Sequence, residues 1–284
     1  MDQEPSLFYW SEIMSFTGAI DLNVAKKQLK TIVSDCYYEG ALKITRPVYN
    51  EKNYPTIYLI HVGGGYVDGD TYLLNISLED NAELAVTTQS STKVYRTPNH
   101  PVRQITNIIL KKGSMLEFFP DPLIAYEDSR FVQETTVRME TGATLFFCDI
   151  ITPGWSAEGG LFQYDWIRSK LTVFQNGNMV LFDYLFLEHD DDPVRLLKME
   201  GYSHIGSLFI IHQNVNKEFV DHLSSLLSEY DMDTRIGFSL LPEEGVALRI
   251  LALSTGVIEK IIHHVHTFSR KELLDKGPLE WRKY

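Results

Sequence analysis

Short apolar stretches separated by turn residues run from the N-terminus to about residue 190, and most are rich in Val, Ile, Thr and aromatic residues. Runs of this kind predict β-strands. They lie at 54–62, 71–79, 82–88, 103–113, 114–120, 131–140, 143–151, 169–175 and 178–188. Asn176-Gly177 between the last two predicts a hairpin. Because no long helical pattern interrupts them, these strands predict a large antiparallel multi-stranded β body over residues 1–190.

The remaining residues, 191–284, follow a different pattern. An apolar strand is predicted at 207–212 and a hairpin at 238–254. Residues 216–231 and 255–274 have apolar positions at helical spacing, with Asn216 and either Ser254 or Thr255 as N-caps. The pattern predicts a β-α-β-β-α element that packs on the β body within one domain. The expected fold class is therefore predominantly β (α+β).

Composition narrows the class of partner and the compartment. The chain has 284 residues, a net charge of -12 and 44% hydrophobic residues. Such acidity excludes a protein that works by neutralising nucleic-acid phosphates or an anionic membrane. The N-terminal MDQEPSLFYW lacks a basic region, and the apolar stretch 179–187 is too short for a bilayer. We therefore expect a cytoplasmic protein that contacts neither nucleic acid nor membrane.

The stretch IHVGGGYVDGD at 60–70 is the strongest local feature. It lacks the Lys and the hydroxyl residue of a phosphate-binding P-loop, and the G-x-G-x-x-G spacing of a dinucleotide site fails because Asp68 occupies the last position. Spacing alone favours a strand-to-strand loop whose glycines take positive φ. Glycines also let a backbone approach another group closely, and Asp68 and Asp70 lie on one side of an extended segment.

Other candidate ligands are outweighed by plainer interpretations. His263 and His266, at i and i+3 on a predicted helix, could share a metal ion, but a solvated or half-buried helix face is favoured. His189 and Asp190–Asp192 form a charge run, and His61 is favoured as a loop histidine. Glu117 and the group Asp121, Glu127 and Asp128 could pair, although surface acids are favoured. Cys36 and Cys148 match no metal or nucleophile motif.

Several stretches, in order and with fitting spacing, resemble the UreD/UreH family of urease accessory proteins. The similarity extends from about residue 28 to 277. It rests on LIHVGGGYVDGD (59–70), TTQSSTKVYRT (87–97), the strand with Gln104, GSMLEFFPDPLIAYEDSRF (113–131), TPGWSAEGGLFQYDWIRSKLTVF (152–174) and GVALRILALST (245–255).

The resemblance implies a non-enzymatic urease maturation factor with a mainly β fold. Members of this family bind a UreF-type accessory protein and, through it, a UreG-type GTPase. The complex, often dimeric through the partners, docks on the urease apoprotein and helps to deliver nickel, which passes through an internal water-filled passage. No tightly bound cofactor is expected, only nickel in transit. A pure protein–protein scaffold that conducts no nickel is the alternative, and a hydrolase that uses Asp70 and a second carboxylate is a third hypothesis.

The resemblance also implies site residues. Asp70 is the first choice for a passage residue, with Glu158, Asp68 and His61 as further transient nickel ligands. Glu158 is the nearest carboxylate to Gly160, which stands where the family has glutamate, and Trp155 replaces a family arginine. A buried Asp70 is expected to need water, hydrogen bonds or a cation, and we predict an ion pair with Lys93 or Arg96. The other motif residues are Gly63, Gly64, Gly65, Gly69, Thr87, Thr88, Lys93, Tyr95, Arg96, Gln104 and Glu117.

Overall fold

A computed structural model describes residues 15–189, 199–230 and 234–281 of the chain. Asp190, Asp191 and Asp192, which the sequence grouped with His189, lie outside the described residues. The helices are α1 (Lys217–Leu227) and α2 (Thr255–Leu274), and a 3₁₀ turn covers Ser228–Tyr230. The strands are β1 (Gly18–Lys27), β2 (Lys30–Gly40), β3 (Leu42–Ile44), β4 (Thr56–His61), β5 (Thr71–Leu78), β6 (Glu83–Thr88), β7 (Thr92–Val94), β8 (Val102–Leu110), β9 (Met115–Phe119), β10 (Leu123–Ala125), β11 (Arg130–Met139), β12 (Thr144–Ile151), β13 (Trp166–Gln175), β14 (Asn178–Glu188), β15 (His204–Ile211), β16 (Arg235–Leu240) and β17 (Gly245–Ala252).

The strands form two sheets that face each other across an apolar core. The seven-stranded sheet has the order β14-β13-β11-β8-β5-β1-β2. The ten-stranded sheet has the order β16-β17-β15-β12-β9-β6-β4-β3, with β10 pairing β12 and β7. The predicted predominantly β class is thus confirmed. Strand β15 pairs with β12, so the ten-stranded sheet continues from the first part of the chain into the residues after 190.

The predicted antiparallel pairing is wrong for the middle of both sheets. Neighbours β5, β8, β11 and β13 run parallel, as do β4, β6, β9 and β12. The reason lies in the short turns at 79–82, 111–114 and 140–143. Such turns usually close hairpins, but here each one passes the chain from the seven-stranded sheet to the ten-stranded sheet. A chain that alternates between two sheets returns to each sheet in the same direction.

Predictions based on local chemistry are confirmed. Asn176 and Gly177 have positive φ and join the antiparallel strands β13 and β14. The Asn216 side chain accepts a hydrogen bond from the Phe219 N–H and caps α1. Ser254 caps α2 in the same way, and α2 has the predicted bounds. Strands β16 and β17 form the predicted C-terminal hairpin.

Both helices lie on the outer face of the ten-stranded sheet, where a second apolar core forms. This sheet is therefore covered on both faces, which explains the nearly continuous apolar sequences of β12 and β15. No helix in the described part of the chain is long and apolar enough to cross a membrane.

Candidate functional site: a polar cavity between the two sheets

A cavity of about 200 Å³ lies inside the sandwich, between the two sheets, and we call it the inter-sheet cavity. Part of its wall is ordinary apolar core, including Ile20, Leu59 and Phe147. The remainder is polar, which is unusual for the centre of a β-sandwich because buried polar groups need partners. The polar side chains on its wall are His61, Thr88, Ser90, Ser91, Thr92, Lys93, Gln104, Thr106, Asp121, Gln133, Thr135 and Asp149.

The glycine-rich loop after β4 lies at one end of this cavity and carries the chain across to β5 in the opposite sheet. Gly63, Gly64 and Gly69 have positive φ, as their sequence context predicts. Gly65 is required for a different reason. A Cβ atom there would lie 2.7 Å from the Tyr95 ring and 2.9 Å from the Lys93 carbonyl oxygen. The loop therefore lies directly against the 93–95 segment, which also flanks the cavity.

Asp70 stands at the end of this loop, where its carboxylate accepts three hydrogen bonds. The donors are the Val67 N–H at 2.8 Å, the Tyr72 hydroxyl at 2.7 Å and the Thr17 hydroxyl at 3.1 Å. These donors stabilise the charge without a cation. Asp70 itself is not among the residues that line the cavity. It is linked to the cavity wall by the hydrogen bond from the Tyr72 hydroxyl, which also contacts His61.

Tyr72 connects Asp70 to His61, which does line the cavity. The single Tyr72 hydroxyl hydrogen goes to Asp70, so the His61 Nε2, 3.0 Å from the Tyr72 oxygen, must be the donor. This leaves a lone pair on His61 Nδ1, which is buried and has no hydrogen-bond partner among the described residues. Burial lowers the pKa of His61, with the charge of Asp70 opposing the shift, so the neutral form is favoured.

A row of polar residues crosses the inner face of the seven-stranded sheet from this group. Strand register places Tyr72 of β5, Gln104 of β8, Gln133 of β11 and Ser169 of β13 side by side. We call these four residues the polar row. At the spacing of adjacent strands it is about 14 Å long. Gln104 also accepts a hydrogen bond from the Tyr66 hydroxyl, at 2.9 Å.

Asp149 of β12 faces the far end of the polar row from the opposite sheet. Its Oδ2 accepts hydrogen bonds from Gln133 Nε2 at 2.5 Å and from the Ser169 hydroxyl at 3.1 Å. Protein atoms surround the carboxyl group, although it retains some accessible surface because it borders the cavity. Burial raises the pKa of Asp149 to about 6, with the hydrogen bonds from Ser169 and Gln133 opposing the shift.

A second carboxylate, Asp121, borders the cavity where the ten-stranded sheet opens. Strands β6 and β9 stop pairing after Thr87 and Phe119, and Pro120 and Pro122 lack the N–H needed to continue the ladder. Asp121 Oδ2 accepts a hydrogen bond from the Thr88 hydroxyl at 2.8 Å, and the Asp121 N–H donates to that hydroxyl at 2.7 Å. The carboxylate is thereby held at the gap between the two strands.

Comparison with known proteins gives a single answer for the family. The family model described as "UreD urease accessory protein" matches residues 17–283. The chain belongs to the UreD family. Two relatives, each named "Urease accessory protein UreD", support this. One, from Bacillus sp. (strain TB-90), is 56% identical over 95% of this chain and 100% of its own length. The other, from Staphylococcus aureus (strain bovine RF122 / ET3-1), is 37% identical over 95% of this chain and 98% of its own length.

Not every motif residue of this UreD-family chain lies at the cavity. Glu117 lies on the other side of the ten-stranded sheet, in what we call the buried ionic cluster of Tyr54, Glu117, His266 and Arg270. It accepts hydrogen bonds from Tyr54, His266 and Arg270 at 2.9, 2.8 and 2.6 Å. Burial alone would raise the pKa of Glu117, but hydrogen bonds and charge from His266 and Arg270 hold it well below its usual range. This cluster ties α2 to β9.

The other predicted nickel ligands lie outside the cavity lining. Asp68 accepts hydrogen bonds from the Asn99 and His100 N–H groups, both at 2.9 Å, and from the Asn99 side chain. These bonds, led by that of His100, lower the pKa of Asp68. Glu158 is exposed in a turn closed by the Gly159 N–H and the Ser156 carbonyl oxygen. Neither side chain lines the inter-sheet cavity.

The predicted ion pair of Asp70 with Lys93 or Arg96 is wrong. Arg96 instead pairs with Asp128 at 3.0 Å, and no ion pair of Asp70 is found in the described part of the chain. The hydrogen-bond donors around Asp70 replace the cation. Of the other motif residues, Lys93 and Thr88 line the cavity, Tyr95 donates to the Gly64 carbonyl oxygen at 3.3 Å, and Thr87 donates to the Phe119 carbonyl oxygen at 2.6 Å.

Sequence reasoning missed Tyr72, Gln133 and Asp149. Asp149 had a usable signal, because it is the only charged residue in the apolar strand ATLFFCDII. Gln133 and Tyr72 had none, since strand residues of their kinds are common on solvated faces. Only the parallel register, which the sequence did not reveal, brings these residues together.

The site has the donor set for passing contact with a metal ion. Within residues 15–189, 199–230 and 234–281, no three or more His, Cys, Asp or Glu side chains could hold a metal ion together. Side chains with a single possible donor group border the cavity instead: His61, Asp121, Cys148 and Asp149. Imidazole and carboxylate are both ligands for nickel. Within the described residues these side chains do not form a closed metal site.

Proposed function

We propose that this protein is a urease maturation factor that conducts nickel through its inter-sheet cavity. Membership of the UreD family implies a role in urease maturation. The observation that carries the nickel part of the proposal is the polar row, which leads from the His61–Tyr72–Asp70 group to Asp149 between the two sheets. A polar row through a core is unfavourable unless water or an ion meets it.

The donor set suits transfer because each position offers few ligands. A closed set of imidazole and thiolate ligands would retain nickel, whereas two separate carboxylates, one imidazole and the single thiol of Cys148 leave most coordination positions to water. The raised pKa of Asp149 means that a cation must displace a proton there below about pH 6. Nickel is cargo in this scheme, and the chain itself is not an enzyme.

The proposed partners are a UreF-type accessory protein, a UreG-type GTPase recruited through it and the urease apoprotein. The proposed complex is cytoplasmic and dimeric. Exposed apolar side chains around the glycine-rich loop support a protein contact at this end of the cavity. Val62 and Val67 of the loop are more than half exposed, and so is Trp155, whose ring lies 4.9 Å from that of Tyr126.

Nickel loading of urease tests the proposal. The chain is coexpressed with the urease subunits and the other accessory proteins, and nickel per urease active site is measured by mass spectrometry. We expect Asp149→Asn to lower nickel content several-fold while the accessory complex still forms. Asp70→Ala is expected to keep the fold and partner binding and to lower activation.

Asp128→Asn is the matched control, because Asp128 is a partly exposed carboxylate that pairs with Arg96 and does not line the cavity. Its backbone has φ 57, a conformation that Asn tolerates. Full nickel loading with Asp149→Asn, Asp121→Asn and Asp70→Ala would contradict conduction and favour the pure scaffold. Failure of the wild-type chain to form any complex that activates urease would contradict the maturation role itself.

A further inference from the structure

A second cavity of about 480 Å³, which we call the helix-side cavity, lies between α2 and the ten-stranded sheet. Helix α2 contributes Thr255, Glu259, His263 and His266 to its wall. The sheet contributes Thr152 and the chain beyond β9, and Trp281 from the C-terminal segment completes it. Exposed residues on its rim, Glu259 and His263, show that it reaches the protein surface.

The helix-side cavity adjoins the inter-sheet cavity through the ten-stranded sheet. Four residues border both volumes: Ser91, Pro120, Asp121 and Cys148. They meet where β6 and β9 stop pairing, at the gap that Pro120 and Pro122 create. Asp121, held there by Thr88, is the carboxylate between the two volumes. Asp121 is therefore the carboxylate that an ion crossing between the two volumes would meet.

The three histidines near the middle of α2 point in different directions. His266 donates to Glu117 inside the buried ionic cluster, and His264 lies 3.5 Å from Glu229 on the α1 side. Only His263 combines a position on the cavity wall with an exposed side chain. The pair His263 and His266 that the sequence suggested is thus divided, because His266 is committed to a buried carboxylate.

We propose that Glu259 and His263 form a two-ligand nickel site at the outer end of the passage. The two residues are at i and i+4 on α2, the spacing that places side chains one turn apart on the same helix face. That spacing allows two side chains to bind one metal ion, as in helical metal motifs. Both residues line the helix-side cavity. The inference rests on the proposed conduction of nickel and adds where the ion leaves or enters the chain.

The chemistry of this pair fits a transfer point. One imidazole nitrogen and one carboxylate leave the remaining nickel positions to water or to a partner's ligands, so the ion stays exchangeable. Binding requires only loss of bound water from nickel and, when His263 is protonated, release of its proton. Because the pair lies at the surface, a partner protein can reach the same ion.

Nickel titration of the full metal-free chain tests the site, with the histidine ring signals followed by NMR. We expect nickel to broaden the His263 signal, and Glu259→Gln to weaken this binding about tenfold, or ~1.4 kcal/mol. Helix α1 supplies a matched control, since Glu218 and His222 are also exposed, at i and i+4, but line neither cavity. Equal binding at His222 and His263, or none at His263, would overturn the inference.

Transfer to urease separates this inference from the proposed function. We expect the double variant Glu259→Gln/His263→Gln to lower nickel per urease active site while Glu218→Gln/His222→Gln leaves it unchanged. If the α2 double variant leaves the nickel content of urease unchanged while Asp149→Asn still lowers it, the α2 site is wrong and conduction stands. If the α2 double variant and the cavity variants all leave the nickel content unchanged, the proposed conduction fails as well.

Discussion

The buried ionic cluster and the inter-sheet cavity both hold carboxylates away from bulk water, but they stabilise them by opposite means. Glu117 is fully buried and contacts Arg270, which supplies a full positive charge, together with His266 and Tyr54. Asp149, on the cavity wall, accepts hydrogen bonds from the neutral side chains of Gln133 and Ser169, and Asp70, outside the lining, accepts one from the Tyr72 hydroxyl. Glu117 therefore has a cation in direct contact, whereas Asp149, which borders the inter-sheet cavity, interacts with the charge of Arg249 without an ion pair among the described residues.

This difference indicates which motif carboxylates serve the fold and which can serve a cation. The charge of a buried carboxylate in direct contact with an arginine is already compensated, and disruption of the pair leaves an uncompensated buried charge. A carboxylate held by neutral donors gains from any cation that enters. Glu117 and Asp70 look equivalent as motif residues in the sequence, and only their neighbours separate them.

The largest expected loss of stability follows from disruption of the buried ionic cluster. Arg270→Met should destabilise the protein by about 3–5 kcal/mol, because Glu117 would remain buried without its guanidinium partner. Chemical unfolding followed by circular dichroism measures this.

Arg235→Met provides the control for this prediction, since Arg235 pairs with Glu200 at 2.9 Å where both side chains are more than half exposed. The Arg235→Met variant should lose less than about 1 kcal/mol of unfolding free energy. Similar losses of stability in the two variants would mean that the buried ionic cluster contributes no more to the fold than an exposed ion pair does.

Substitution of Asp149 should change the free energy of unfolding in the opposite direction, because it should stabilise the protein. Its folded pKa of about 6 lies above the value of ~3.9 for an unfolded chain, so the neutral form is favoured in the fold. The stability that this preference provides is complete below about pH 4 and is lost as pH rises through 6. Above pH 6 the buried charge costs about 2–3 kcal/mol. Asp149→Asn removes the charge and should therefore be more stable than wild type above pH 6.

Unfolding free energies at pH 4 and pH 7 measure this prediction. The variant and wild type should differ little at pH 4 and diverge at pH 7. A variant that is less stable at pH 7 would show that cations or water already compensate Asp149 in the folded protein. The same variant serves in the nickel experiment, because a stable fold excludes unfolding as the cause of lost transfer.

The sequence predicted what depends on neighbouring residues and missed what depends on distant ones. The Asn216 and Ser254 caps, the Asn176-Gly177 hairpin and the positive-φ glycines follow from local backbone chemistry. The strand direction does not, because the turns that join two sheets resemble hairpin turns. The polar row depends on that direction, so three of its four members, Tyr72, Gln133 and Ser169, were not singled out. The four predicted nickel ligands, Asp70, Glu158, Asp68 and His61, stay predictions.

The smallest expected effect concerns the hydrogen bond that replaces a cation at Asp70. Tyr72→Phe should cost about 1–3 kcal/mol, since the Asp70 carboxylate loses its shortest donor and His61 Nε2 loses its acceptor. Tyr66→Phe is the matched control, because the Tyr66 hydroxyl donates to the neutral Gln104. The Tyr72 variant should lose more stability in chemical unfolding, because a bond to a charged acceptor is the stronger one. Equal losses would mean that the hydrogen bond from Tyr72 to the Asp70 carboxylate is no stronger than the bond from Tyr66 to the neutral Gln104, and the contrast with Glu117 would then rest on Asp149 alone.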